Sequence, residues 1–222
     1  MAFCQETYQF LFENRAMDSR EWFHAHREQY EELVLEPTRE LVEQLTPALE
    51  RIDPQLVTEP KVGRTISRIN RDTRFSKNKE LYRDVMWISF TREKYAGMPS
   101  FFFEYSPRCL RWGCGWYCTE PETCEAIRDM ILKDSPLYLA AEEALAHQRF
   151  FRLEDDRRKR TKYPDRPEEK RKWLDQKSFC VLGGTEDTDL LFSPDLPKRL
   201  GRDMKKIAPV YQLFLAAREM TR

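Results

Sequence analysis

The sequence predicts an α+β fold in which one antiparallel sheet of about four to six strands is covered by amino-terminal and later helices. Three observations carry that expectation. In the first third, apolar residues recur at three- and four-residue spacing. The middle holds short runs of branched and aromatic residues split by Gly and Pro. Cap-and-proline signals return in the last half.

Taken in order, Asp18 followed by Glu21 has the spacing of a capping box. Trp22, Phe23, His26, Tyr30, Leu33 and Val34 then gather on one helical face. Pro37 is expected to end or kink that helix, after which Leu41, Leu45 and Leu49 resume the pattern. From Val62 to Ile69, Val85 to Phe90, Ser100 to Ser106 and Leu110 to Tyr117 the texture is that of strands in a meander. Thr119 with Glu122 and Ser135-Pro136 open two helices ending near His147. Arg157 to Lys162 is charged and unpatterned, an exposed loop by expectation. A helix restarts at Asp165–Glu168, Ser178 to Leu182 forms a strand, Gly183-Gly184 turns the chain, and a helical region broken at Pro209 closes it.

A chain of 222 residues is long enough to bury a large core as one domain, residues 1–222. Its 38 basic and 38 acidic residues cancel, so no overall field draws it to membranes or polyanions, and any such attraction must be local. No stretch approaches the roughly 18 apolar residues of a membrane span, and the amino terminus lacks a leader pattern; the expectation is a cytoplasmic protein with its six cysteines reduced. Cys114, Cys118 and Cys124 lack paired metal-ligand spacing and read as free thiols, so no metal is expected. The seven glycines form no phosphate-binding loop, and no cofactor is expected. The sequence leaves oligomeric state open.

Chemistry concentrates in one segment. Arg64, Arg68, Arg71, Arg74, Lys77, Lys79 and Arg83 fall within twenty residues whose only acids are Asp72 and Glu80, a local charge of plus five. On a strand from Val62 to Ile69, Arg64 and Arg68 would share a face, with Arg71, Arg74 and Lys77 nearby on the following loop. Guanidinium forks match the paired oxygens of carboxylate and phosphate, so convergence would make an anion pocket. Its members would be Arg64, Arg68, Arg71, Asp72, Arg74, Ser76, Lys77 and Lys79. Asp72 is expected to orient Arg71 or Arg74, because a carboxylate among arginines is held ionised and makes a poor base. Ser76 lacks the flanking glycines of a nucleophile elbow.

Within it, Asn70-Arg71-Asp72-Thr73-Arg74-Phe75-Ser76-Lys77-Asn78-Lys79 followed by Tyr82-Arg83 resembles the signature of the family called domain of unknown function 2461, an Arg-Asp-x-Arg-Phe-Ser-Lys-Asp-Lys stretch ending in Pro-Tyr-Lys. Glu21-Trp22-Phe23 with His26 and Tyr30, Gly113 and Gly115 before Pro121, and Lys177-Ser178-Phe179 agree with it. Asn78, Glu80-Leu81 and Arg83 depart from the pattern. The resemblance implies an architecture and candidate positions, and no reaction.

Three readings stay open at this point. The segment binds a small anionic ligand, with or without catalysis. It contributes to nucleic-acid binding beside Trp112, Trp116 and Phe101 to Phe103, which the zero net charge disfavours. Or its cations pair internally, for residues 1–60 carry thirteen acids against five basic residues.

Overall fold

A computed structural model describes residues 2–92 and 97–222. The chain forms α1 (Gln5–Met17), α2 (Arg20–Ala25), α3 (Arg27–Tyr30), a π-helical turn (Glu31–Leu35) and α4 (Glu36–Glu50), then β1 (Met86–Thr91), β2 (Ser100–Tyr105) and β3 (Leu110–Gly115). There follow α5 (Pro121–Leu132), α6 (Pro136–Ala146), β4 (Arg152–Leu153), α7 (Glu168–Leu174), β5 (Cys180–Thr185), α8 (Leu196–Lys206) and α9 (Ala208–Met220). The fold is α+β with one five-stranded antiparallel sheet in the order β1-β2-β3-β5-β4; β1, β2 and β3 are three of the four runs expected in the meander, while the run from Val62 to Ile69 makes only isolated bridges. Alternation is visible in burial: Met86, Ile88 and Phe90 of β1 and Phe101, Phe103 and Tyr105 of β2 point into the core. No helix among the described residues is long and apolar enough to cross a membrane.

The chain divides into two compact units, one of Met1–Phe90, Phe102–Arg111 and Thr185–Arg202, the other of Thr91–Phe101, Trp112–Gly184 and Asp203–Arg222. In the first, α1 lies against the π-helical turn, with Phe10 stacked 5.8 Å from Tyr30. Pro37 does not end the helix, as the sequence suggested it would. It sits in the first turn of α4, and the backbone runs on unbroken through the π-helical turn. Lacking an N–H, Pro37 leaves the carbonyl four residues back without its usual donor. That carbonyl belongs to Leu33, and the Thr7 hydroxyl of α1 donates to it at 2.8 Å. Thr38 then donates to the Val34 carbonyl and accepts from the Tyr105 hydroxyl at 2.7 Å, joining α4 to β2 inside the core.

In the second unit, α9 supplies the cover: Tyr211 stacks 4.5 Å from Phe101, and Phe214 meets Trp116 at 5.3 Å. Ser135 caps α6 by accepting from the Tyr138 N–H, with Pro136 in the first turn, as the sequence predicts.

Several local expectations give way. Ser19, not Asp18, caps α2 by accepting from the Trp22 N–H, while Asp18 closes α1 with a left-handed φ of 43°. Thr119 caps nothing; its hydroxyl accepts from the Phe179 N–H, and Glu120 precedes α5 instead. Gly183-Gly184 continue β5 rather than turning the chain, because β4 pairs there, Arg152 opposite Leu182, and the Phe150 ring occupies the space a Gly183 side chain would need.

Candidate functional site

The basic segment folds within the first unit as an arm of two extended stretches. Ser89 donates to the Thr65 carbonyl, Ser67 to Trp87, Arg83 to Ile69 and Arg71 to Leu81, at 2.8 to 3.2 Å. Ile66 pairs with Ile88 and Asn70 with Tyr82, which leaves residues 72–80 as the connecting loop. The carboxylate of Asp18 anchors the return stretch, accepting the Leu81 N–H at 2.7 Å and the Tyr82 N–H at 3.3 Å. On one side Tyr82, Asp84, Met86 and Ile88 are buried; Arg83, Val85 and Trp87 alternate with them and remain half-exposed.

The arm begins later than the sequence suggests. Lys61 to Ile66 is a turn with Gly63 at φ +81°, so Arg64 is not on the extended stretch and pairs with Glu59 at 3.4 Å. The Arg68 guanidinium lies beside Gly63, its Nε an ordinary contact distance of 3.5 Å from where a Cβ there would stand, so it is the positive φ that favours glycine at this turn. Arg74 grips Asp72 bidentately, Nε at 2.9 Å and Nη2 at 2.7 Å, and holds that carboxyl down at about 2 by those hydrogen bonds. The sequence-based role for Asp72, orienting an arginine, is consistent with this contact. Lys79 donates to the Thr73 carbonyl at 2.8 Å, and the Ser76 N–H to the same atom at 3.3 Å. Phe75 at the loop is 95% exposed.

Arg71 bonds Glu80 at 2.7 Å. Glu80 also meets Arg15 of α1 at 3.5 Å, and Arg15 bonds Asp84 at 2.8 Å, which Arg108 clasps from the other side at 3.1 Å. Arg83 differs from these. It donates to the Asn70 carbonyl at 3.0 Å and lies 4.5 Å over the Trp87 ring, its Nε buried without a partner. No carboxylate pairs with Arg83, Arg68 or Lys77 among the described residues. Burial first, and the neighbouring charge of Arg71 second, pull the Arg83 pKa below the ordinary guanidinium range. Arg15, Asp84 and Arg108 did not figure in the sequence-based site. Asp84 adjoins Arg83, but Arg15 and Arg108 come from distant stretches, and nothing in the local pattern connects them to it.

Asp84 is 5% exposed. Burial pushes its carboxyl up, but hydrogen bonds from Arg108 and Arg15 outweigh that and leave it below its ordinary value. Asp84→Ala is expected to destabilise by about 2 kcal/mol, less than a fully buried pair, because Arg15 and Arg108 can turn to water. Since the folded carboxyl ionises at lower pH than the unfolded one, its contribution is fully present above about pH 4 and is lost as pH falls through the folded value. Urea unfolding of wild type and Asp84→Ala should therefore converge in acid. A gap that persists there assigns the loss to packing.

Among the described residues no group of three or more His, Cys, Asp or Glu side chains is placed to hold a metal ion. Cys114 is fully buried and its thiol is pushed well up by burial, whereas Cys118 is exposed. His26 stacks on Trp22 at 4.0 Å with Nδ1 2.7 Å from the Trp22 carbonyl oxygen.

No curated protein matches the sequence. The family described as conserved hypothetical protein (DUF2461) matches residues 6–213, a span holding the whole basic arm, its Asp18 anchor and the sheet, and the chain belongs to that family.

Proposed function

We propose that the chain binds a small phosphate- or carboxylate-bearing anion on the basic arm, with Arg71 and Arg83 as the anchoring pair. Arg64, Arg68, Arg74, Lys77 and Lys79 add to the field around them, Asp72 keeps Arg74 in place, and the Ser76 hydroxyl is available as a donor. The reading rests on Arg83. A half-buried guanidinium with no acid and a second arginine beside it is an unfavourable arrangement for stability alone, and an oxyanion relieves it. The Trp87 ring beneath, 4.5 Å from the guanidinium carbon, supports the fork.

The pairs Arg64–Glu59, Arg71–Glu80 and Arg74–Asp72 favour a second reading, in which the segment only braces the fold. Thermal unfolding separates the two. A saturating anion, at about 100 times its Kd, should stabilise wild type by about 2.7 kcal/mol. Arg83→Met should lose that gain yet stay within about 1 kcal/mol of wild type without ligand, because the lost ring contact is offset by relief of the buried charge. No response to a panel of orthophosphate, phosphate monoesters and carboxylates would leave the bracing reading standing. So would an Arg83→Met variant that keeps the full response.

A further inference from the structure

The exposed loop that the sequence marks at Arg157 to Lys162 proves to be built into a cleft of the second unit. Its backbone is tied down at several points. Arg157 pairs in antiparallel fashion with Gln176, the Arg158 N–H donates to the Asp175 carbonyl at 2.9 Å, and Lys177 donates to the Asp156 carbonyl at 2.8 Å. The buried Asp175 carboxylate accepts from the Thr161 hydroxyl at 3.0 Å and from the Lys162 N–H at 3.4 Å. Five of six consecutive residues are basic, yet the segment is not a loose charged tail.

The cleft holds about 380 Å³, within the size of small-molecule sites, and every side chain lining it is charged or a hydroxyl. Its carboxylates are already engaged: Asp155 by Arg157 at 2.7 Å, Glu168 by Arg171 at 2.6 Å, and Asp175 by the loop itself. Among the described residues, no carboxylate pairs with Arg158 or Lys159. Arg171 also lines the cleft, and its Nε is buried with no hydrogen-bond partner. Spare donors of one sign on a braced wall, with little apolar surface for a ring to rest on, select a compact ligand carrying several negative charges.

We infer that this cleft, lined by Arg158, Lys159 and Arg171, is a binding site for a chain of linked phosphates. Linked phosphates come free or as the tail of a nucleotide, and the walls distinguish them: with so little apolar contact a base adds little, so tripolyphosphate binds at least as tightly as ATP, and both far more tightly than orthophosphate. The assignment does not depend on the arm, since its residues belong to the other unit.

Isothermal titration of the full chain at low salt tests it. Arg83→Met should keep a tripolyphosphate site with the affinity of the cleft in wild type, whether or not wild type takes up a second anion at the arm. Arg158→Gln combined with Lys159→Gln should weaken it by at least about tenfold, the loss of one or more charge-assisted bonds. Lys159→Glu, at an exposed position that leaves the backbone ties intact, should weaken it too and guards against a double variant that fails to fold. Binding lost in Arg83→Met but kept in the cleft variants would overturn the assignment, as would no saturable binding. Tighter binding of a short single-stranded RNA through the same residues would also overturn it, in favour of a nucleic-acid surface.

Discussion

Arg128→Ala should destabilise the chain by about 3 to 4 kcal/mol, among the largest losses any single side-chain truncation in this protein would give. Arg128 of α5 is 2% exposed, and its guanidinium closes three gaps at once. Nε donates to the Leu174 carbonyl at 3.0 Å, one terminal nitrogen to the Gln176 carbonyl, and the other to Glu125 at 2.7 Å. Leu174 and Gln176 are themselves buried, so truncation strips two carbonyls of their donors where water does not reach and opens a void beside them. Arg128→Lys should recover only part of the loss, because an ammonium is a point donor and cannot span both carbonyls as the planar fork does. Urea unfolding followed by tryptophan fluorescence gives the magnitude, and a loss below about 1 kcal/mol would show that the carbonyls find other donors. The consequence reaches the cleft. Gln176 pairs with Arg157 and its side-chain oxygen accepts from the Asp156 N–H, so hydrogen exchange at Arg158 should quicken in Arg128→Ala more than at α9.

Gly113→Ala is expected to be comparably damaging, roughly 3 kcal/mol or more, by overpacking. A Cβ at Gly113 of β3 would stand 1.9 Å from the Val181 carbonyl oxygen and 2.8 Å from the Leu182 Cα. Both obstacles are backbone, so no rotamer change yields space, and the strands must part where β5 packs its ladder against β3. Calorimetry should give a sharply lower Tm or no cooperative transition. An alanine variant melting within a few degrees of wild type would show that β3 and β5 part at this point at little cost.

Much of the fold was legible from local pattern. Strand-like alternation around Met86, Ile88 and Phe90, the Ser135-Pro136 cap and the break near Pro209 all depend on neighbours close in sequence, and each appears where the residues suggest. What failed did so because a distant group intervened. Pro37 would stop an isolated helix, but Thr7 supplies the donor that the Leu33 carbonyl lacks. Gly183-Gly184 would turn a free chain, but Phe150 and β4 hold it extended. Asp18 has the spacing of a cap, but two arm N–H groups claim its carboxylate.

The candidate site divides along the same line. The sequence by itself determined that cations would crowd into residues 64–83 and again at Arg157 to Lys162, and that a sheet with helical cover would carry them. Only the tertiary structure decided which of those charges are neutralised. Arg71 meets Glu80 across the base of the connecting loop, Asp84 draws Arg15 from α1 and Arg108 from beyond β2, and Arg83, Arg158 and Lys159 are left without an acid among the described residues. Side-chain periodicity is a property of a few consecutive residues, whereas pairing of charge depends on which carboxylates the folded chain brings within about 4 Å, and no local pattern encodes that distance.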